Sequence, residues 1–198
     1  MRRLLAIALL ALCATTPARG EDADATTILL VAQSKLRDPN FGGSVVVVLN
    51  NIGPAPAGLI VNRPTRVRVS RLFPDIESLE QREDKVYFGG PVQVTSAVSF
   101  LFRSEVEPDN AARVLDGVYL SSDRKLLRKL LARDEPMEGL RIFVGYSGWS
   151  RGQLEAEVAR GDWTLAPADA ETLFGNASER PWPDSGRDVQ ATSYRGAR

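Results

Sequence analysis

The chain has 198 residues, 25 basic and 25 acidic, and is 43% hydrophobic; that is ordinary globular composition, enough to bury a full core in a single domain without staples. It holds one cysteine and no histidine, which excludes an internal disulfide and the usual zinc and copper ligand sets. From the start of the chain, Arg2 and Arg3 precede an unbroken apolar run over 4–13, and Ala18-Arg19-Gly20 puts small residues where a signal peptidase reads them. These are the parts of a secretory signal peptide, predicted over 1–20 with cleavage between Gly20 and Glu21. A retained N-terminal anchor is the alternative, although the run is short of the roughly 20 residues a bilayer span needs. Cys13 follows Leu12 rather than the small residue of a lipoprotein signal, so it reads as part of the apolar run.

Cleavage removes Arg2, Arg3 and Arg19 and no acid, so 25 basic residues become 22 against 25 acidic, a net charge of −3 with no cysteine left. A mildly acidic domain is a poor match to a phosphate backbone, whose binding runs on Lys and Arg contacts. Nucleic acid is therefore an unfavoured partner, and no transmembrane span is expected after signal cleavage.

Residues 21–27 read as a mobile lead-in. Ile28–Ala32 is apolar and β-prone, and Asp38-Pro39-Asn40 is a turn signal. The run SVVVVL over 44–49 predicts a strand covered on both faces. A Gly/Pro loop over 50–57 leads to a strand over 58–61, which Asn62-Arg63-Pro64 ends, proline being a poor partner in regular pairing. A short helical turn is expected within 70–80, strands over 86–88 and 98–102, and a short helix over 108–115. A strand over 117–120 stops at Ser121-Ser122, a natural N-cap pair. In the helix predicted over 123–133, Leu126, Leu127, Leu130 and Leu131 share one face and Arg124, Lys125, Arg128 and Lys129 the other. A strand over 140–146, a helix over Gln153–Ala159, a strand over 162–165 and a last helix from Pro167 through Phe174 follow. The tail over 184–198 is polar, aperiodic and read as disordered. Strands outnumber helices without strict βαβ alternation, which favours an α+β fold in one domain over 28–183.

Gly148-Trp149-Ser150-Arg151-Gly152 matches G-x-S-x-G after a strand and before a helix, the setting of a nucleophile elbow. A serine nucleophile needs a base, and the chain has no histidine to serve. Ser150 and Gln153 also carry the spacing of a capping box, which is the favoured reading. Glu155 and Glu157 stand two apart on a helix, so they point different ways and are no catalytic pair. Gly89-Gly90-Pro91 reads either as a tight bend after a strand or as backbone open to a ligand, but lacks the Lys and Ser/Thr of a phosphate loop. The Arg63 guanidinium fits either an anion or the tethering of a neighbouring loop, and Trp149 fits a packing anchor. The basic face of the 123–133 helix, with Arg124, Lys125, Arg128 and Lys129, reads as a solvated face, with the binding of an anionic partner as the alternative. No metal or cofactor motif is present.

Several segments, in order, resemble one family: 36–41 followed by SVVVVL, GLIVNRP at 58–64, YFGGPV at 87–92, GVYLSSD at 117–123, and GYSGWSRGQLEAE at 145–157 with Trp163. Together they resemble the YqgE/AlgH family over about residues 28–175. The resemblance implies a compact α+β domain with a bent, mostly antiparallel sheet approaching a pseudo-barrel, and no established activity; some members carry the label of transcriptional regulator. It marks Asn62, Arg63, Gly89, Gly90, Gly145, Tyr146, Trp149, Gln153 and Glu155 as family-pattern residues and thus as the candidate ligand site. Members are typically intracellular, whereas this chain opens with a predicted signal peptide. The expectation is an exported, periplasmic, non-enzymatic binding or regulatory domain, with a small molecule or protein as partner and no cofactor. A transcriptional regulator and a hydrolase with a non-histidine mechanism are the alternatives.

Overall fold

The computed structural model describes residues 27–49 and 53–175. The predicted signal peptide, its cleavage point, the lead-in up to residue 26 and the polar tail lie outside them.

In chain order the described elements are β1 (Ile28–Ala32), β2 (Val45–Leu49), β3 (Ala57–Ile60), β4 (Pro64–Arg68), α1 (Val69–Leu72), a 3-10 turn (Glu77–Leu79), β5 (Lys85–Phe88), β6 (Val98–Arg103), β7 (Ala112–Leu115), β8 (Val118–Ser121), α2 (Arg124–Leu131), β9 (Leu140–Val144), β10 (Ser147–Gly148), α3 (Gln153–Ala159), β11 (Trp163–Pro167) and α4 (Ala170–Phe174). They form an α+β fold. The strands make two sheets rather than the one bent sheet expected: an antiparallel sheet in the order β10-β3-β2-β1-β11, and a mixed sheet in the order β4-β5-β9-β6-β8-β7. Only the β5–β9 pair of the second sheet is parallel.

The β2 run shows why the core has layers. Side chains alternate along a strand with a period of two. Val45, Val47 and Leu49 enter one cluster with Leu59, Leu101 and Phe143. Val46 and Val48 enter another with Ile60, Trp149, Leu154 and Trp163 on the opposite face. All five β2 residues are buried, each such side chain contributing about 1.5–3 kcal/mol. A third cluster joins β6, β8, β9 and α2, where Leu127, Leu130 and Leu131 pack on Phe100, Phe102 and Ile142 and Leu126 lies at the margin. Arg128, on the outer face, pairs with Asp75 at 2.6 Å.

The two sheets meet at a seam almost free of side chains. Ile60 of β3 donates its N–H to the Gly89 carbonyl at 2.9 Å, and Gly89 N–H donates to the Val144 carbonyl of β9 at 2.9 Å. Just beyond, Val92 and Tyr146 exchange backbone hydrogen bonds, each at 3.0 Å. The buried Ser147 hydroxyl also donates to the Gly89 carbonyl, at 3.1 Å. A Cβ on Gly89 would run into the Gly145 carbonyl oxygen. Gly90 has φ +149°, and a Cβ there would run into the Tyr146 carbonyl carbon and the Ser147 nitrogen. The 89–90 pair is therefore the close-packed bend of the two readings above, not a cradle open to a ligand.

Four local expectations are corrected. The helix expected over 108–115 is instead the strand β7, paired with β8; Asn110, in the left-handed region at φ +59°, breaks any helix there. Pro64 does not end pairing but opens β4, an edge strand where a missing N–H faces no partner. The α2 cap is Asp123 rather than Ser121 or Ser122: its carboxylate accepts from Lys125 N–H at 2.7 Å and Leu126 N–H at 3.1 Å. The bonds from Leu126 and Lys125 hold that carboxyl below its ordinary pKa. Pro167 closes β11, and the last helix starts after Asp169, which caps Thr172 N–H at 2.6 Å.

Gly90→Ala should lower unfolding stability by about 3 kcal/mol, since it adds both a clash and a left-handed strain. Gly53→Ala, in open space, should stay within about 0.5 kcal/mol of the parent. Urea denaturation of the two variants checks this, and equal midpoints would contradict the seam.

Candidate functional site

The segment over 145–153 leaves the seam and turns into α3, carrying four of the family-pattern residues. Trp149 is buried and stacks on Phe41, ring centroids 6.2 Å apart. Trp163 meets Phe41 and Trp149 edge-on at 5.7 and 6.3 Å. Both indole N–H groups donate to one carboxylate oxygen, Glu157 Oε2, at 2.9 Å from Trp149 and 2.8 Å from Trp163. Gln153 Nε2 donates to the other oxygen, Oε1, at 2.9 Å. One half-buried carboxylate thus fastens α3 to β11 and to the 148–150 turn, through charge-assisted bonds stronger than neutral ones.

Gln153 also reaches back, its Oε1 accepting the Ser150 N–H at 3.0 Å. That is one half of the expected capping box. The other half is absent: the N-cap of α3 is Gly152, with φ +76° and no side-chain cap. Glu155 is exposed on the first turn of α3, away from the carboxylate clamp.

Asn62 and Arg63 act on the 38–44 loop. Asn62 Oδ1 accepts Val45 N–H at 2.9 Å and its Nδ2 donates to the Gly43 carbonyl at 3.0 Å. Arg63 donates to the carbonyls of Asn40 at 2.5 Å and Gly42 at 3.0 Å, and lies over the Phe88 ring at 5.9 Å. The guanidinium is the loop tether of its two readings. That loop carries Phe41 into the tryptophan cluster, so Asn62, Arg63, Trp149, Gln153 and Glu157 form one connected clamp.

Beside this clamp opens a groove of about 1480 Å³. Its walls come from β2, β3 and the 53–57 turn on one side, from β6, β7, β8 and the start of α2 on the other, and from Gly145, Tyr146, Trp149 and Gln153 between them. The groove thus holds Tyr146, Trp149 and Gln153 of the expected site and omits Asn62, Arg63, Gly89, Gly90 and Glu155. The walls are mostly aliphatic and hydroxylated. Among the described residues they hold one ionic side chain, Arg124, and no Asp, Glu, Lys, His or Cys. Ser150 lies on the wall, exposed. Among the described residues no group of three or more His, Cys, Asp and Glu side chains converges to hold a metal ion. No helix among them is long and apolar enough to cross a membrane.

Two further side chains hold this region without a motif to mark them. Glu157 stands i,i+4 from Gln153, the spacing at which side chains on a helix meet. Arg141 is a cation inside the apolar strand LRIFV. It is buried, donates to the carbonyls of Val61, at 2.9 Å, and Gly175, and lies 4.5 Å over the Tyr87 ring. Burial pushes its guanidinium pKa below the ordinary value, against the opposing pull of Tyr87.

The AlgH-like family model matches residues 29–192. The chain belongs to the AlgH-like family. A UPF0301 protein of Chlorobium phaeobacteroides is 35% identical over 161 residues, covering 80% of this chain and 83% of that protein. A UPF0301 protein of Methylococcus capsulatus is 35% identical over 168 residues, covering 82% of this chain and 90% of that one. The solution structure of the AlgH protein from Pseudomonas aeruginosa superposes with a TM-score of 0.60 at 29% identity, covering 76% of this chain and 80% of that chain. The family expectation from the motifs is thereby met, as is the α+β class. The AlgH-like domain of this chain holds the clamp and the groove within the matched region.

Glu157→Leu leaves two indole N–H groups without their acceptor and should cost about 2–3 kcal/mol, with a shift in tryptophan emission. Glu157→Gln keeps one acceptor oxygen and should cost roughly half as much. Chemical denaturation followed by fluorescence reads both, and a Leu variant as stable as the parent would remove the clamp from the account.

Proposed function

We propose that this AlgH-like domain is a binding module: its groove takes a small molecule with a largely apolar body and performs no chemistry on it. The supporting observation is the groove wall, spacious and mostly apolar, in which only Arg124 and Tyr146 of the described residues carry titratable groups. General acid–base catalysis draws on a positioned His, carboxylate, Lys, Tyr or Cys with its pKa tuned to the task. The hydrolase reading asks Ser150 to act without a histidine in the chain or a lysine in the wall. A volume of about 1480 Å³ exceeds the roughly 300–1,000 Å³ of ordinary ligand pockets, leaving room for an extended molecule.

The same proposal places the domain outside the cytoplasm, on the strength of Arg2, Arg3, the apolar run over 4–13 and Ala18-Arg19-Gly20. Mass spectrometry of the protein from its native cells should find the mature chain beginning at Glu21 in the envelope fraction. A chain beginning at Met1 in the cytosol would overturn the export reading and leave the groove reading intact.

The groove reading is tested with N-phenyl-1-naphthylamine, a neutral apolar fluorophore. It should bind saturably, and Ser99→Trp, which puts an indole into the groove, should weaken binding at least about tenfold. If that variant melts below the parent, Ala112→Trp on the exposed edge strand β7 blocks the same groove from its rim. No saturable binding, or binding unaffected by a folded blocking variant, would overturn the proposal.

A further inference from the structure

Resting on the groove reading, we infer that the ligand is an amphiphile with a single anionic group, its head on Arg124 and its apolar body running toward the 53–57 turn. The argument begins with charge. Among the described residues Arg124 is the only ionic side chain in the groove wall, and no carboxylate of the described wall balances it. It is exposed and makes no ion pair with any described residue. Its helix neighbour Arg128, one turn on, is by contrast engaged by Asp75. The adjacent carboxylate, Asp123, turns to the backbone N–H groups of Lys125 and Leu126 and is not part of the wall. The guanidinium therefore keeps its donor fork for an outside acceptor, and a carboxylate or phosphate fits that fork with two parallel bonds.

Ser122 and Asn110 line the wall with Arg124, and Leu49, the 53–57 turn with Pro54 and Pro56, Leu127 and Trp149 give it apolar surface. Of the five large hydrophobic side chains left exposed among the described residues, Leu72 (40%) and Val98 (39%) both line this groove. Exposed apolar side chains gathered in a concavity mark a binding surface rather than scatter. Backbone geometry agrees: the two non-glycine residues with positive φ among the described residues, Gln93 at 52° and Asn110 at 59°, lie in two segments that border it. Strain of this kind gathers at ligand sites. Asn110 is held there by Ser121, whose hydroxyl donates to its carbonyl at 2.6 Å.

The charge count narrows the ligand class. One positive charge suits one negative group; a polyphosphate would meet a single cation among aliphatic walls, and a cationic ligand would meet like charge. The remaining class has an apolar chain or ring system ending in one carboxylate or phosphate ester, whether free in solution or held in a lipid leaflet.

Displacement of N-phenyl-1-naphthylamine by decanoate, decanol and decyltrimethylammonium tests this on the intact protein. Decanoate should compete at concentrations at least about tenfold below decanol, with the ammonium weakest, the margin expected of one charge-assisted anchor. Arg124→Gln should abolish the decanoate-over-decanol ratio, and Arg124→Glu should turn the preference toward the ammonium. Sedimentation with phosphatidylglycerol vesicles assigns the source: co-pelleting that is lost in Arg124→Glu points to a lipid in its leaflet, and displacement by decanoate without pelleting points to a free amphiphile. Decanol matching decanoate, or a preference for decanoate that survives Arg124→Gln, would overturn the inference while leaving the groove in place. Failure of the fluorophore itself to bind would instead sink the groove reading on which it rests.

Discussion

The two sheets are joined where the end of β5 meets the turn after β9 almost backbone to backbone. Gly89 connects with both sheets at once, accepting from Ile60 and donating to Val144. Backbones can come this close only where no Cβ intervenes, and the sites that would clash are Gly89, Gly90 and Gly145. Gly58 closes the same region from β3, where a Cβ would meet Val46 Cγ1 and the Val47 carbonyl oxygen at 2.7 Å. Because the seam fixes how the two sheets diverge, it also fixes the width of the groove between them. Gly145 and Tyr146 belong to both features.

A second set of interactions follows from the first. After the seam the chain must turn into α3, and the turn is held from outside by the Glu157 carboxylate and from below by Trp149, whose N–H at the backbone donates to the Pro56 carbonyl at 3.0 Å. Asn62 and Arg63 bring the 38–44 loop, and with it Phe41, against the same tryptophans. Polar side chains bound to backbone carbonyls in this way are occupied, and their removal exposes unsatisfied groups rather than freeing a ligand site. The polar residues of the family pattern therefore divide by task. Asn62 and Arg63 hold a loop, Gln153 both holds the clamp and faces the groove, and Glu155 faces solvent.

The fold was legible where side-chain period and burial agree. SVVVVL could only be a strand with two covered faces, and Val45 and Val46 do enter separate clusters. The leucines of α2 announced their face by spacing alone. What stayed hidden depended on partners distant in sequence. β7 has helix-compatible residues and becomes a strand because β8 pairs with it, a tertiary override of local preference. β4 begins with a proline that is tolerated only because it lies on an edge, and no local pattern says which strand is the edge. The candidate site was half legible. Tyr146, Trp149 and Gln153 were marked by motif, while the groove walls at 53–57, 95–100 and 110–112 were composed of small and aliphatic residues that carry no chemical signature until the two sheets are placed.

That silence of the walls is itself informative. Titratable groups are what sequence reading detects best, and the described wall residues carry few of them. A site that only holds a ligand can be built from Ala, Ser, Pro and Leu with one charge to orient it, and it stays invisible until the fold assembles it. The clamp adds a mechanical element. Trp149 and Gln153 contribute to the groove wall and are bonded directly to Glu157, which in turn is bonded to Trp163 of β11. Anything that shifts the wall at Trp149 must therefore strain or break charge-assisted bonds reaching β11, on the far edge of the first sheet. The bonds from Trp149 and Gln153 through Glu157 to Trp163 thus tie one wall of the groove to the far edge of the first sheet, so that wall and sheet move together.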